Sequence, residues 1–378
     1  MRLAFGVSVL AQALARGGAD GIGNVTQELL ARLRSATDVS VLPYEYASQV
    51  SGQIPGAVAV GAFQPQALWA LATGASFPLM GQRLRGQVDL VHATDHYVPR
   101  VRGTPVLATL MDAIPLSHPE WVAYSHKRLK NEAWRRSAHW ADHVLTISEF
   151  SRQEIMRCFR IPERRISVIP LGVDGRWFAT PSVPELQRVT AAYRLPERYF
   201  LFVGTIQPRK NLERLVRAHH ALPQDVRRQF PLLVVGRKGW GCEDIAAQLD
   251  VGLWPDVRWL AYVPGEDLPV MVSRASALVF PSLYEGFGLP VLEAFAARTP
   301  VIASAATSVP EVAGDAALLV DPLDEAAWRA AMLTLALKET GQIEQWRERG
   351  RIRAQQFSWD QTAGDLIRLY ERLLGGRM

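Results

Sequence analysis

Short apolar runs alternate with amphipathic helical stretches along the chain, and the alternation occurs in two successive series. A strand followed by a helix and another strand predicts a parallel sheet with right-handed crossovers. Two such series predict an α/β fold with two doubly wound, Rossmann-like domains. The predicted strands of the first series cover residues 3–9, 39–43, 88–93, 105–110, 143–147 and 166–170. Those of the second series cover residues 199–203, 232–235, 257–261, 277–280, 300–303 and 317–320.

The two series separate within residues 174–195, where the segment 175–184 contains two prolines and shows no clear period. We therefore predict a first domain at residues 1–180 and a second at residues 195–358. The last stretch, 359–378, is helical in pattern with no strand after it, which predicts a helix that packs back on the first domain. Ligands of open α/β sheets bind beyond the carboxyl ends of the strands, so we expect the domains to face each other across a cleft.

The composition is that of a globular enzyme, because 48% of the residues are hydrophobic and 21% are charged. No apolar run reaches the roughly 18 residues that a membrane-spanning helix needs. Residues 1–15 resemble a signal peptide, but Gln12 interrupts the apolar region and a first buried strand explains it better. Cys158 and Cys242 are isolated in the sequence, show no metal-site spacing and favour a reducing cytosol. We expect a cytoplasmic protein without a metal site.

Positive charge is concentrated in the first half of the chain. The formal net charge is +5, and residues 1–180 carry that excess while the remainder balances. The densest cluster, HKRLKNEAWRR, covers residues 126–136. Such a cluster is typical of a solvated helix face, and it also fits a patch that attracts an anionic membrane or a diphospholipid, so both interpretations stay open. No nucleic-acid motif accompanies the charge, and no nucleic acid partner is expected.

The sequence FPSLYEGFGLPVLEAF, residues 280–295, combines a strand end, a glycine-containing loop and a helix start. Gly286 and Gly288 allow the backbone to approach a ligand closely, and the free N–H groups of a helix start favour phosphate. Glu293 lies beside that anion site, where a carboxylate suits a ribose diol because the diol needs two acceptors. Glu285 lies in the loop and can reach the other end of a bound donor.

The sequence LFVGTIQPRKNL, residues 201–212, also leads a strand into a glycine turn, and it delivers Arg209 and Lys210 at a helix start. When the bond between a sugar and a diphosphate breaks, negative charge grows on the leaving phosphate. Fixed cations there stabilise the transition state more than the ground state. Such a pair can replace a divalent metal, so no cofactor is expected.

A third segment, GGADGIGNV at residues 17–25, is rich in glycine and opens a helix. It does not match the GxGxxG dinucleotide fingerprint, and no acidic residue follows the second strand at the position that NAD binding requires. By itself this segment indicates little.

Together the three segments resemble the GT4-type family of retaining, metal-independent glycosyltransferases, which has the GT-B fold. Residues 285–293 match the EX7E motif of the family, residues 204–211 its phosphate-binding RKN turn, and residues 21–23 its N-terminal glycine loop. Further similar segments cover residues 114–120, 147–151, 236–240 and 309–322. The closest branch is similar to bacterial mannosyltransferases of O-antigen and exopolysaccharide assembly.

The resemblance implies roles on the donor side. Lys210 and Arg209 would hold the diphosphate, and Glu293 would hold the ribose hydroxyls. Gly23 would let the N-terminal loop approach the diphosphate. The residues implied to contact the transferred sugar and the phosphates are Glu285, Phe287, Gly288 and Leu289.

Two positions depart from the family pattern. Relatives often carry a His-Asp pair after the fourth strand, near the sugar and the acceptor, whereas this chain has Met111 and Asp112. Met111 cannot form that hydrogen bond, so we expect different acceptor geometry or sugar preference, with Asp112 as a candidate acceptor-orienting group. Thr205 stands where some branches have an arginine, so Lys210 and Arg209 must supply most of the phosphate-binding charge.

His92 lies at the end of the third predicted strand, and family counterparts are often near the cleft. A histidine at a strand end is either an acceptor-side residue or a structural residue with satisfied hydrogen bonds, and the sequence leaves both interpretations open.

These roles imply a retaining transferase that moves a hexose, with mannose from GDP-mannose expected first, to a glycan or lipid-linked oligosaccharide in bacterial surface polysaccharide synthesis. The acceptor hydroxyl would attack from the side of the departing phosphate, because no carboxylate is placed as a nucleophile. A nucleotide-sugar epimerase of the same fold and a non-catalytic nucleotide- or glycan-binding protein stay open as alternatives. The expected location is the cytoplasm, either free or peripheral on the inner face of the plasma membrane.

Overall fold

The protein is described by a computed structural model that covers residues 1–16 and 21–375. The chain forms two compact units, the first made of residues 1–172 together with the chain from Trp359 onward, and the second of residues 173–358. We call these units the first and the second domain.

In the described residues, the first domain contains a parallel sheet of seven strands in the order β3-β2-β1-β4-β5-β6-β7. This order changes direction between β1 and β4, as in a doubly wound Rossmann fold, and it confirms the predicted class of this domain. The strands are β1 (Arg2–Gly6), β2 (Ser40–Glu45), β3 (Val58–Ala59), β4 (Leu90–Ala93), β5 (Val106–Thr109), β6 (His143–Thr146) and β7 (Ile166–Val168). The helices are α1 (Ser8–Ala15), α2 (Gly21–Ser35), α3 (Phe63–Thr73), α4 (Pro78–Leu84), α5 (Ile114–Ser117), α6 (Lys127–Ala138) and α7 (Glu149–Phe159), with 3-10 turns at Pro119–Trp121 and Glu163–Arg165.

The second domain repeats the doubly wound arrangement with six parallel strands in the order β10-β9-β8-β11-β12-β13. The strands are β8 (Phe200–Val203), β9 (Leu232–Val235), β10 (Val257–Leu260), β11 (Ala277–Phe280), β12 (Val301–Ser304) and β13 (Leu318–Val320). The helices are α8 (Val183–Tyr193), α9 (Leu212–His220), α10 (Gln224–Gln229), α11 (Glu243–Asp250), α12 (Leu268–Arg274), α13 (Leu289–Ala296), α14 (Val309–Ala313), α15 (Glu325–Leu337) and α16 (Thr340–Ala354), with 3-10 turns at Gly175–Phe178 and Pro208–Lys210. Strands β9, β11 and β12 are buried along their whole length, as expected for a parallel sheet covered on both faces.

The chain returns to the first domain through helix α17 (Trp359–Gly375). The Arg32 guanidinium of α2 donates to the Asp360 carboxylate over 2.8 Å, and the Thr362 hydroxyl donates to the Pro170 carbonyl over 2.8 Å. Leu366 is buried on the inner face of the helix. The helix is therefore tied to the first domain by packing and by polar contacts.

Two sequence predictions differ from the structure at element boundaries. The predicted linker 175–184 belongs to the second domain, and the change of domain comes earlier, after residue 172. Two local hydrogen-bond patterns hold this segment. The Asp174 carboxylate accepts from the Arg176 N–H, and Ser182 and Glu185 form a capping box at the start of α8.

The first predicted strand is also shorter than expected. Strand β1 ends at Gly6 and helix α1 begins at Ser8, so a helix, not a strand, precedes the glycine-rich segment. Residues 17–20 of that segment lie outside the described residues.

Candidate active site

The cation-bearing turn connects strand β8 to helix α9 in the second domain. Gly204 has a φ of +148°, and a Cβ added at the neighbouring Gly236 would lie 2.0 Å from the Gly204 carbonyl oxygen. Both positions therefore require glycine. The Ile206 N–H donates to the Arg237 carbonyl over 2.9 Å, which fixes the turn to the next loop. The 3-10 turn Pro208–Lys210 comes directly after this anchored stretch of backbone.

Asn211 ends this turn in the left-handed conformation, with a φ of 57°. Its side-chain amide donates to the carbonyl of Pro281 over 3.0 Å and to that of Pro322 over 2.7 Å. These prolines follow strands β11 and β13, so one side chain ties three loops together. The sequence predicts Asn211 as the last residue of the RKN turn without giving it a role, although asparagine is a residue that tolerates a left-handed backbone.

The two cations of this turn contact one carboxylate in the loop after β11. Lys210 Nζ donates to Glu285 Oε1 over 2.6 Å, and Arg209 Nη1 donates to Glu285 Oε2 over 2.9 Å. Arg209 Nη1 also donates to the Tyr284 carbonyl over 3.1 Å, and the Leu283 N–H donates to the Arg209 carbonyl over 2.7 Å. The structure thus brings together the predicted residues Arg209, Lys210 and Glu285.

Burial and charge act in opposite directions on this cluster. The side chains of Lys210 and Glu285 are only 10% and 11% exposed. Burial by itself would raise the pKa of the Glu285 carboxyl, but the positive charges of Arg209 and Lys210 outweigh it and lower that pKa to about 2. Burial lowers the pKa of the Lys210 ammonium, and Glu285 opposes that effect. The cluster thus places two cations against one carboxylate, an arrangement that can receive an anionic ligand.

The start of helix α13 lies directly after this loop. Gly288 occupies the N-cap position with a φ of +119°, and Pro290 stands in the first turn. The backbone N–H groups of Phe287, Gly288 and Leu289 donate no hydrogen bond to any residue that the structure describes. Phe287 is buried, with its ring centroid 6.0 Å from that of Phe357 in an edge contact. Three free amides at a helix start can bind an anion, and they follow directly on the loop that pairs with the two cations.

Glu293 lies four residues further along α13 and is half-buried. No hydrogen bond joins its carboxyl to any residue that the structure describes. Burial raises the pKa of this carboxyl to about 7, with Arg176 acting to lower it and Asp174 to raise it. An unpaired carboxyl at this place has free acceptors for a polyol such as ribose.

Thr307 and Ser308 hold the same loop from the segment between β12 and α14, and the sequence analysis did not name them. The Glu285 N–H donates to Thr307 Oγ1 over 3.1 Å. Ser308 Oγ lies 2.9 Å from the carbonyl oxygens of Glu285 and Phe287. The sequence Ser-Val-Pro-Glu at residues 308–311 is typical of a helix start, and nothing in it indicates contacts with another loop.

In the first domain, Gly23 is buried within the first turn of helix α2. The resemblance predicts Gly23 in a loop that approaches the diphosphate, and the structure corrects this: Gly23 is helical, because the helix already begins at Gly21. Its predicted role in donor binding stays untested.

Met111 and Asp112 follow strand β5 in a short loop, and both are half-buried. The Ser151 hydroxyl donates to the Met111 carbonyl over 3.0 Å, and Asp112 Oδ1 accepts from the Ile114 N–H over 3.0 Å. The Asp112 side chain therefore supports the start of helix α5, and its acceptor-orienting role stays a prediction.

Of the two interpretations that the sequence leaves open for His92, the contacts of its ring favour the structural one, and the acceptor-side role stays untested. The ring is fully buried, with Nδ1 2.6 Å from the Tyr370 hydroxyl and Nε2 2.7 Å from the Thr109 hydroxyl. Burial lowers the pKa of His92 to about 3, so the ring is neutral. Both nitrogens are occupied by partners of the first domain, and neither is available to a substrate.

Comparison with known proteins follows the same division of the chain. The family model described as Glycosyltransferase Family 4 matches residues 19–176, and the one described as Glycosyl transferases group 1 matches residues 185–353. O-antigen chain mannosyltransferase B from Escherichia coli is 36% identical over 301 residues, covering 77% of this chain and 76% of that protein. The chain belongs to glycosyltransferase family 4.

Solved structures confirm the fold of this glycosyltransferase. A sucrose-phosphate synthase from Thermosynechococcus elongatus superposes with a TM-score of 0.76 at 22% identity, covering 100% of both chains. HepE from Anabaena in complex with UDP-glucose superposes with a TM-score of 0.75 at 17% identity, covering 98% of this chain and 100% of that chain. At these identities the similarity establishes the GT-B type of fold alone.

The family 4 glycosyltransferase therefore carries its predicted donor-side residues in one continuous region of the second domain, except for Gly23. In the described chain, no group of three or more His, Cys, Asp or Glu side chains is arranged to hold a metal ion. Within residues 1–16 and 21–375, no helix combines the length and the apolar character that crossing a bilayer requires.

Proposed function

We propose that this glycosyltransferase transfers mannose from GDP-mannose, with retention of configuration, to a glycan or lipid-linked oligosaccharide of a bacterial surface polysaccharide. The sequence similarity to an O-antigen chain mannosyltransferase supports the sugar and the class of acceptor. The complex of HepE with UDP-glucose supports a nucleotide-sugar donor as the class of substrate.

One observation carries the proposal: Arg209 and Lys210 converge on Glu285 beside three free amides of the α13 start. Two cations face one carboxylate there, and both cations can contact the oxygens of a bound diphosphate. Because the cluster is buried, a diphosphate that enters it meets little competing water, which strengthens each charge–charge contact. The unpaired Glu293 carboxyl on the same helix supplies acceptors for the ribose of the nucleotide.

The proposed reaction breaks the bond between the anomeric carbon and the β-phosphate oxygen. The acceptor hydroxyl oxygen forms a new bond to that carbon from the same face, and its proton passes to the departing phosphate oxygen. GDP leaves with the electron pair of the broken bond. Arg209, Lys210 and the α13 amides stabilise the charge that grows on the phosphate, which favours the transition state over the bound donor.

Asp112 is the proposed carboxylate that orients the acceptor. One of its oxygens accepts from the Ile114 N–H, which holds the side chain in place. The proposed contact with an acceptor hydroxyl is made by this carboxylate. Met111 supplies an apolar side chain where relatives often have histidine, so the acceptor is oriented without that hydrogen bond.

An anionic membrane surface is the proposed peripheral partner, and two surfaces of the first domain support it. Helix α6 exposes Arg128, Lys130 and Arg136 around Leu129, which is 73% exposed. Helix α3 exposes Leu68 and Trp69, by 68% and 52%, within residues 46–82, a segment with no charged residue. Apolar side chains and cations on one domain fit an anionic lipid surface, which attracts the cations and accommodates the apolar groups.

The test is a donor and product assay. The purified protein is screened by thermal shift against GDP, UDP and dTDP, since a ligand that binds the native state raises its apparent stability. GDP-mannose is then incubated with a mannose-containing acceptor, and the anomeric configuration of the product is read by NMR. We expect a GDP-specific shift and an α-linked product. A shift with UDP alone would refute the choice of donor, and an isomerised sugar from donor alone would favour the epimerase.

A further inference from the structure

Thr307 has a backbone conformation that its side chain disfavours. Six non-glycine residues of the described chain have a positive φ, and Thr307, with a φ of +60°, is the only β-branched one among them. A second heavy atom on Cβ crowds the backbone in this region, so such a residue persists only when its surroundings impose the conformation. The segment therefore stores strain that a glycine would not.

The strained conformation places the Thr307 hydroxyl against the loop that carries Glu285. Thr307 Oγ1 accepts from the Glu285 N–H over 3.1 Å and donates to the Ala306 carbonyl over 2.8 Å. The hydroxyl thus donates one hydrogen bond and accepts another. The bond that it accepts holds the backbone N–H of Glu285, whose carboxylate pairs with Arg209 and Lys210.

The Ser308 hydroxyl also contacts another loop instead of capping its own helix. It occupies the N-cap position of α14, where a serine usually bonds to its own helix, yet it makes no such bond. Its fully buried hydroxyl lies 2.9 Å from the carbonyl oxygens of both Glu285 and Phe287. One hydroxyl proton is shared between two carbonyls of the same loop.

Holding these carbonyls sets the direction of the amides that follow them. In a trans peptide the C=O and N–H groups point in opposite directions. Ser308 attracts the carbonyl of Phe287, so the N–H of Gly288 points away from Ser308. That N–H is one of the three amides of the proposed anion site.

We propose that Thr307 and Ser308 are positioning residues for the loop of residues 281–288, which we call the donor loop. Together they hold the amide of Glu285 and the carbonyls of Glu285 and Phe287, which sets the carboxylate and the α13 amides in the geometry that receives the donor. The strain at Thr307 is the cost of bringing a hydroxyl to this place. The proposal rests on the proposed transfer from a nucleotide sugar, because it assigns this loop to the donor.

The experiment compares substitutions that separate the effect of losing the hydroxyl from the effect of relieving the backbone strain. Thr307→Val keeps the shape and loses the hydroxyl, Thr307→Ser keeps the hydroxyl, and Thr307→Gly loses the hydroxyl and relieves the strain. Ser308→Ala removes the second hydroxyl. The matched control is Thr299→Val in the same domain, since the buried Thr299 hydroxyl donates to the Val272 carbonyl over 2.6 Å outside the donor loop.

The readouts are kcat, the donor KM and Tm for each variant. We expect Thr307→Val and Ser308→Ala to lose about tenfold or more in kcat, because small losses of orientation have large effects on rate. Thr307→Ser should retain most of kcat. Thr307→Gly should lose kcat while its Tm stays equal or rises, and Thr299→Val should lose Tm with kcat per folded molecule unchanged.

A purely structural role would make kcat follow Tm across the series, and that result would overturn the proposal. Calorimetric affinity for GDP and UDP gives a second readout that needs no turnover. If wild-type protein transfers no sugar, the proposed function fails, while weaker diphosphate binding by Thr307→Val and Ser308→Ala than by Thr299→Val would still support the positioning role. If neither kcat nor diphosphate affinity differs from the control, the positioning role is refuted although transfer stands.

Discussion

Lys210 Nζ donates to Glu285 Oε1 over 2.6 Å, although 75 residues separate the two in the chain. Both side chains are about nine-tenths buried, and Arg209 contacts the second oxygen of the same carboxylate. One buried carboxylate therefore faces two cations. A diphosphate bound beside Arg209 and Lys210 would bring further acceptors to these two donors.

Replacing Lys210 by alanine should reduce kcat/KM by about two to three orders of magnitude, the usual cost of removing one group that stabilises developing charge. Initial rates with nucleotide sugar and acceptor measure this, and circular dichroism checks that the variant is folded. Arg228→Ala, at an exposed position of α10, removes a cation of the same domain and should leave the rate unchanged. Near-normal turnover of Lys210→Ala would refute the role of this cation.

Nucleotide affinity should increase as the pH rises from 6 to 8. Burial raises the pKa of Glu293 to about 7, and the ionised carboxylate is the better acceptor for ribose hydroxyls. If only that form binds, affinity is lost as the pH falls through 7, by about tenfold between pH 8 and pH 6. Calorimetry of GDP binding at both pH values measures the change.

The control for this prediction is Glu293→Gln, which cannot ionise. The nucleotide phosphate titrates in the same way with both proteins, so the difference between their pH dependences reports on the Glu293 carboxyl alone. An equal pH dependence in wild type and Glu293→Gln would rule out Glu293 as the titrating ribose ligand.

His92→Gln should cost stability without a comparable loss of turnover. Burial lowers the pKa of His92 to about 3 from the ordinary 6.5, so the unfolded state binds the proton first. The stabilisation is fully present above pH 6.5 and is lost as the pH falls, by about 1.4 kcal/mol per pH unit. The neutral variant should lack this slope in urea unfolding at pH 5 and 7, with kcat within about threefold. A folded variant with kcat reduced a hundredfold would instead support the acceptor-side role.

Turnover should resist chelation. Arg209 and Lys210 supply the positive charge that a divalent cation would otherwise bring to the leaving phosphate. We expect rates in excess EDTA to stay within about twofold of the untreated rate, with no gain on adding Mg²⁺ or Mn²⁺. Loss of activity that Mn²⁺ restores would mean that a metal, and not the 209–210 turn, carries that charge.

Membrane binding should depend on the surfaces of the first domain. Leu68→Ser with Trp69→Ser should weaken sedimentation with anionic vesicles by severalfold, because two exposed apolar groups of α3 are lost. Arg128→Glu with Lys130→Glu should make the remaining binding less sensitive to salt. The control pair is Val251→Ser with Leu253→Ser, which are 78% and 58% exposed in the second domain. Equal sedimentation of all variants, or none with wild type, would dispose of the membrane proposal.

The donor-side motifs could be predicted because each is contiguous. Residues 280–295 pass from β11 through a glycine loop into α13, and the order of apolar, glycine and proline residues indicates this locally. The role of His92 could not be predicted in this way. Its partners Thr109 and Tyr370 lie 17 and 278 residues away, so no local pattern shows that both ring nitrogens are satisfied.

The sequence by itself determined the two doubly wound domains and the cation turn and carboxylate loop as separate segments, because periodicity, glycine turns and helix starts are properties of neighbouring residues. Only the tertiary structure decided that Glu285 faces Arg209 and Lys210, that Thr307 and Ser308 hold its loop, and that the second domain begins at residue 173. Parallel pairing of β8, β11 and β12 brings the loops after these strands to one edge of the sheet. Contacts across such an edge depend on strand order, which residues adjacent in the chain do not encode.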